Sequence, residues 1–389
     1  MTTRSSVSSR SLLDRFPARV RQSLRTRLTK WYQSHGRSLP WRESRDPYRI
    51  WISEIMLQQT TVKAVIPYYT RFLDRFPTLS ALADATEEEV LQYWEGLGYY
   101  SRGRNLRRAA QAIQSQYAGR FPQSPEEIQK LPGIGRYTAG AISSFAFDIP
   151  APIVEANTLR LYCRLLGFDG DPRSRSGQEL LWDFASALQP PDRAGILNQA
   201  LMELGSLVCT PTNPQCESCP LQTLCVAGEE GRQSEIPAPK VRPETTATVE
   251  GTVAIRHQNR FLIRQRGKKE RWAGMWDFPR FPIETLSSEA PLSGTVPASL
   301  QQEFRRQLKE LGGPEISRLA MQLEVRHSVT RYRIRLICCS AETTSAAPHF
   351  SADSGDWRWV ALETLQSLPM PITGRKFARH LRSVAEKPE

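Results

Sequence analysis

No stretch of this chain approaches the roughly 18–20 consecutive apolar residues of a membrane-spanning helix, and its start lacks the apolar core of a secretory signal. A membrane partner is therefore not expected. Acidic residues are in deficit, 40 Asp and Glu against 52 Lys and Arg, for a formal charge of +12. That balance favours a polyanionic partner, with nucleic acid ahead of an acidic membrane; a basic soluble enzyme is the plainer alternative. Cysteine is too sparse and too bunched for a secreted disulfide framework: of seven in 389 residues, four fall between Cys209 and Cys225. A metal site in a reducing compartment fits that pattern better. Core formers are not lacking, at 40% hydrophobic and 24% charged residues, and the length exceeds what one hydrophobic core usually supports. Two domains are expected.

The pattern along the chain divides accordingly. Residues 1–17 form a basic, Ser-rich stretch expected to be a flexible tail; a DNA-touching arm and a transit peptide are both open readings. Residues 18–228 carry helical spacing, as in Val20, Leu24, Leu28 and Trp31, with further stripes over 48–76, 86–96 and 105–117. Helix stops are marked by Phe76-Pro77, Gly96-Leu97-Gly98 and Pro122. Residues 229–246, rich in Pro and charge, read as a linker. From 247 to 389 the periodicity shifts to strand alternation at 248–256, 260–266, 331–339 and 356–360, interrupted by one helix near 299–311. The fold class expected is a mainly α first domain and an α+β second domain.

Three local patterns carry chemistry. Cys209, Cys216, Cys219 and Cys225 follow C-x6-C-x2-C-x5-C, and on ligand type alone a zinc ion and an iron–sulfur cubane both satisfy four such thiolates. Leu131-Pro132-Gly133-Ile134-Gly135 joins two helical segments; its glycines permit a tight turn whose following helix start can bind phosphate. Glu54 has Ile50, Trp51 and Leu57 as its helical neighbours, so it projects from an apolar face. A carboxyl there is a general acid with a raised pKa, or else a helix-edge residue reaching solvent.

These segments resemble the helix–hairpin–helix DNA glycosylases, the adenine glycosylase family in particular. The likeness lies in Ser53-Glu54-Ile55-Met56-Leu57-Gln58-Gln59-Thr60, Leu39-Pro40-Trp41-Arg42, Gly96-Leu97-Gly98-Tyr99-Tyr100, the hairpin and the cysteine spacing. It implies a [4Fe–4S] cluster on the four cysteines and Glu54 as the acid that protonates adenine. Tyr137 and Asn157 would position sugar and water, and Gly133 and Gly135 would hold backbone phosphate. Trp41, Arg42, Leu57, Gln59, Thr60, Tyr99 and Gln199 would contact DNA or the extruded base, although Trp41 and Tyr99 read equally well as core aromatics. The family's second carboxylate is Asp in Val-Asp-Gly-Asn; here Val154-Glu155-Ala156-Asn157 stands in its place, keeping the charge and lengthening the reach. Endonuclease III-like lyases carry Lys where this chain has Tyr137, so hydrolysis without a Schiff base is expected.

Trp272-Ala273-Gly274-Met275-Trp276-Asp277-Phe278-Pro279 is similar to a Nudix block, while the helix near 299–311 lacks the adjacent glutamates of a Nudix hydrolase. The resemblance implies a lesion-reading module, whose Phe-Ser-His loop is replaced by Val329-Thr330-Arg331. Arg331, Arg333 and Arg335 alternate with apolar residues, giving either a solvated basic sheet face or a phosphate or guanine contact. The expected activity is hydrolytic removal of adenine mispaired with 8-oxoguanine or guanine, by a monomer on double-stranded DNA. Alternatives are a same-fold glycosylase for mismatched thymine, a lyase, and a DNA-binding module with little turnover. A cytoplasmic, nucleoid-associated place is expected in a bacterium, with organellar targeting as the other reading of the tail.

Overall fold

The computed structural model describes residues 9–239, 244–287, 289, 295–344 and 356–386. The described residues divide into two compact units, one within 1–84 and 108–241 and the other within 85–107 and 242–389.

In chain order the helices are α1 (Ser9–Asp14), α2 (Ala18–His35), α3 (Pro47–Leu57), α4 (Val62–Arg75), α5 (Leu79–Asp84), α6 (Glu87–Trp94) and α7 (Ser101–Gln116). They continue with α8 (Pro125–Ile128), α9 (Arg136–Phe147), α10 (Ala156–Leu166), α11 (Arg175–Leu188), α12 (Ala194–Leu207) and α13 (Val226–Glu229). Local chemistry sets the ends. Pro47 occupies the first turn of α3, and the Asp46 carboxylate accepts the Tyr48 N–H at 2.9 Å. Gly167 ends α10 at φ +67°, a left-handed conformation that glycine adopts without strain. In the first unit Leu24 and Leu28 of α2 meet Leu161 and Tyr162 of α10, Phe184 of α11 and Leu201 and Leu204 of α12. Each such buried side chain contributes about 1.5–3 kcal/mol.

The tail expectation needs correction over residues 9–17. Ser9–Asp14 is helical, and Leu12 and Phe16 are buried in this core, with Phe16 edge-on to Phe184 at 4.9 Å. Those two apolar side chains outweigh the basic residues around them. Residues 1–8 lie outside the described residues.

The second unit is built on β1 (Thr246–His257), β2 (Arg260–Gln265), β3 (Trp276–Asp277), β4 (Arg280–Pro282), β5 (Ala320–Val329), β6 (Tyr332–Glu342) and β7 (Trp357–Ala361). The order is β3-β2-β1-β6-β5, with β4 pairing β1 and β7 pairing β2; β1 and β6 run parallel and the other pairs antiparallel. Helix α14 (Ala298–Glu310) packs Phe304 and Leu308 against Val253, Ile255, Ile337 and Cys339. Helix α15 (Ile372–Ala385) packs Phe377 and Leu381 against Ala254, Leu336 and Cys338. Successive residues of β1 and β6 thus feed opposite cores, as strand periodicity requires. The single-helix reading of this unit misses α15, whose apolar residues are interleaved with four Arg and Lys.

Candidate active site

Helices α3, α9 and α12 and the start of α10 wall a cavity of about 940 Å³ in the first unit. The apolar packing of α3 leaves Glu54 only 4% exposed. Its Oε2 accepts the Tyr137 hydroxyl at 2.7 Å. Burial pushes the Glu54 carboxyl up to about 7; the Tyr137 hydrogen bond opposes this, the Glu155 charge adds to it and Arg42 opposes it. Tyr137 is itself raised well above the ordinary phenol range, first by burial and then by Glu54 and Glu155. It is therefore a neutral donor.

Glu155 lines the same cavity as the N-cap of α10. Its two oxygens accept the N–H groups of Asn157 at 2.8 Å and Thr158 at 2.9 Å, and Thr158 Oγ1 accepts the Glu155 N–H. Burial raises its pKa, opposed by the Asn157 and Thr158 N–H groups and by Arg160. The extra methylene relative to Asp is absorbed by folding the carboxylate back onto the helix end, where the positive pole of the helix favours an anion. Asn157 Oδ1 accepts from Arg160 at 3.0 Å, and the same guanidinium donates to the Gly205 and Cys209 carbonyls.

A third glutamate, outside the sequence motifs, joins these two in the cavity lining. Glu203 is fully buried and accepts from Arg37 Nε at 2.7 Å, Arg37 Nη2 at 2.9 Å and Arg42 Nη2 at 2.8 Å. Burial alone would raise its pKa, but Arg37 and then Arg42 bring it down to about 2. A signal existed: Glu203 is the one charged residue of α12.

The other candidates of this unit fall around the same space. Trp41, Arg42, Leu57, Gln59, Thr60, Asn157 and Gln199 all line the cavity. Trp41 is buried edge-on to Tyr69 at 5.5 Å, so it is both wall and core. Gln199 Oε1 accepts the Tyr32 hydroxyl at 2.7 Å. Gln59 sits exposed at φ +59°, where α3 breaks before α4; the continuous 48–76 stripe is two helices. In the hairpin between α8 and α9, Gly133 takes φ +77°, and Gly135 caps α9 without a side-chain hydrogen bond. That helix start offers its N–H groups to an anion.

Cys209, Cys216, Cys219 and Cys225 line one small cavity beside Arg164, whose Nη1 lies 3.3 Å from Cys209 Sγ. Among the described residues no three His, Cys, Asp or Glu side chains converge as ligands to one ion. Four cysteine thiols lining one cavity beside a guanidinium supply the donor set that a cysteine-held iron–sulfur cluster requires.

Tyr99, Thr330 and Arg331 belong to the second unit. Thr330 forms the β5–β6 turn at φ +51°, a strained conformation for a β-branched residue. Arg331 is exposed, with its guanidinium 5.2 Å from the Tyr332 ring. The three-arginine stripe needs correction: Arg335 is only 5% exposed, and its Nε and Nη2 bind Glu324 at 2.9 and 2.8 Å.

Residues 52–186 match the HhH-GPD superfamily of base excision DNA repair proteins, 209–225 the iron–sulfur binding domain of endonuclease III, and 251–380 the NUDIX domain. Adenine DNA glycosylase of Rattus norvegicus is 47% identical over 227 residues, 55% of this chain and 44% of that protein. The enzyme of that name from Buchnera aphidicola subsp. Schizaphis graminum is 38% identical over 263 residues, 67% of this chain and 76% of its own. A solved thermostable thymine-DNA glycosylase is 30% identical with a TM-score of 0.50, covering 54% of this chain and 97% of its own. The chain therefore spans less than half the length of the rat relative. Fold and site together define a helix–hairpin–helix base-excision protein with a Nudix-like second domain. The chain belongs to the adenine DNA glycosylase family, and its cofactor is a [4Fe–4S] cluster on the four cysteines.

Proposed function

We propose that this chain is a monofunctional glycosylase that, as a monomer on double-stranded DNA, hydrolyses the N-glycosidic bond of adenine mispaired with 8-oxoguanine or guanine. The observation that carries the reading is Glu54: a buried carboxyl raised to about 7, hydrogen-bonded by a neutral tyrosine, in one cavity with a second carboxylate. A flipped base presented to Glu54 receives its proton on a ring nitrogen as the bond to C1′ breaks. Glu155, anchored at the helix end, stabilises the positive charge that develops on the sugar. The hydroxyl of a water adds to C1′, and its remaining proton returns to a carboxylate. Tyr137 offers no amine, so no covalent sugar adduct forms. The Glu203–Arg37–Arg42 cluster supplies fixed donors and acceptors for a purine edge. Cys209, Cys216, Cys219 and Cys225 would hold the iron–sulfur cluster, which would brace the cysteine loop beside Arg164.

A single-turnover assay on duplexes covering every mispair, with alkali added separately, tests this reading. Adenine release that leaves the strand intact until alkali is added supports it. Strand cleavage without alkali, or binding without base release, contradicts it. A second reading, excision of mismatched thymine, is favoured by Val329-Thr330-Arg331 and by the likeness to a thymine-DNA glycosylase. Thymine release in the same assay would select it.

A further inference from the structure

The Nudix-like block Trp272–Pro279 is not absorbed by the cavity chemistry, yet the structure gives it an occupant. Residues 85–107, comprising α6, the loop 95–100 and the start of α7, cluster with the second unit. Trp276 Nε1 donates to Glu88 Oε2 at 3.0 Å, and Arg104 Nη1 donates to the Ala273 carbonyl at 2.5 Å. Gly274 allows the close approach: a Cβ there would stand 3.0 Å from Glu87 and 3.3 Å from Leu91. On α15, Arg375 grips Glu95 with a two-pronged fork, Nε to Oε1 at 2.8 Å and Nη2 to Oε2 at 2.7 Å, while the Met370 N–H donates to the same carboxylate. Both side chains are largely buried, at 12% and 19% exposure, so the pair is a charge-assisted anchor of defined orientation.

Glu95 opens the loop that ends in Tyr99. Arg102 Nη2 and Trp94 Nε1 both donate to the Gly98 carbonyl at 3.2 Å, which stiffens the tip. Tyr99 itself takes φ +47°, is 48% exposed, and has the Arg102 guanidinium 5.7 Å from its ring. It is the one aromatic among the exposed large apolar side chains of the described residues. Backbone strain at an exposed aromatic persists only where the surroundings over-determine it. Here those surroundings include the Nudix-like fold.

We propose that Glu95 and Arg375 are positioning residues through which the Nudix-like unit holds the 85–107 hairpin and fixes Tyr99, the side chain that the family resemblance already gives to DNA, in its stacking position. The stacking part rests on the glycosylase reading; the docking part does not. Hydrogen exchange on the full-length, cluster-loaded chain without DNA tests the docking. Arg375→Met and Glu95→Gln should each lower protection of the α6 amides roughly tenfold or more. Helices α3 and α9 should keep theirs, and the double variant should add little. Unchanged α6 protection in both variants, or equal loss across α3 and α9 in both, would overturn the proposal. Duplex binding tests the stacking: Arg375→Met and Tyr99→Ala should weaken it by similar, non-additive factors. Weakening by Tyr99→Ala alone would show that the anchor does not set the tyrosine. Wild-type protein that releases no base but shows the exchange pattern would sink the glycosylase reading and leave the docking standing.

Discussion

Two buried glutamates line one cavity, and their carboxyls are shifted in opposite directions. Glu203 faces two guanidiniums and is held down to about 2, whereas Glu54 faces a phenol and is pushed up to about 7. Burial raises both. The difference is made by the partners: Arg37 and Arg42 stabilise the Glu203 anion, while the neutral Tyr137 recovers only part of what burial costs Glu54. Within one cavity, Glu203 is thus an ion pair suited to recognition and Glu54 a proton source suited to chemistry.

The largest effect expected from breaking this division is at Glu54. Glu54→Gln keeps shape and hydrogen bonding but has no proton to give, so single-turnover base release should fall by about a thousandfold or more while duplex binding stays within a few-fold. The same variant sharpens the thermodynamic side. A carboxyl raised from 4.5 to about 7 loses folded-state stability as pH climbs between those values, so Glu54→Gln should gain stability over wild type at pH 8 and little at pH 5.

On the ion-pair side, Arg42→Met leaves Glu203 buried with Arg37 alone. Stability at pH 7 should fall by about 3 kcal/mol in denaturant melts. A depressed carboxyl contributes stability above its unfolded pKa and loses it as pH falls toward 2, so the deficit should shrink in acid. A deficit independent of pH would mean that packing, not charge, was lost.

Between these extremes stands Glu155, raised by burial yet anchored by two backbone N–H groups. Because the backbone already accommodates the longer side chain, Glu155→Asp should slow base release about tenfold, and Glu155→Gln about a hundredfold or more. Equal rates for all three proteins would remove Glu155 from the chemistry. The smallest effect lies outside the cavity. Thr330→Gly relieves a β-branched residue at φ +51° and should stabilise the second unit by about 1 kcal/mol. A loss of stability would show that the hydroxyl bond to the Val329 carbonyl outweighs the strain.

What the sequence disclosed follows the range of the interactions. Glu54 was legible because its apolar neighbours are three and four residues away on one helix, and the cysteine set because its ligands span a single loop. Leu12 and Phe16 looked like tail because their partners, such as Phe184, come from far along the chain. Glu203 escaped for the same reason: Arg37 and Arg42 precede it by 166 and 161 residues. Arg335 looked like part of an open basic stripe because its partner Glu324 lies on the neighbouring strand. The capping role of Glu155 is local, but it depends on carboxylate direction, which spacing does not record.

Glu54 is a proton donor because burial, only partly offset by a neutral tyrosine and by Arg42, keeps its carboxyl protonated to about 7. The direct measurement is the single-turnover rate of adenine release from a duplex with adenine opposite 8-oxoguanine, followed from pH 5 to pH 9 at saturating protein. The rate should decline above an apparent pKa near 7, with this limb absent from the residual activity of Glu54→Gln. A wild-type rate that is flat across this range, or that rises through pH 7, would contradict it.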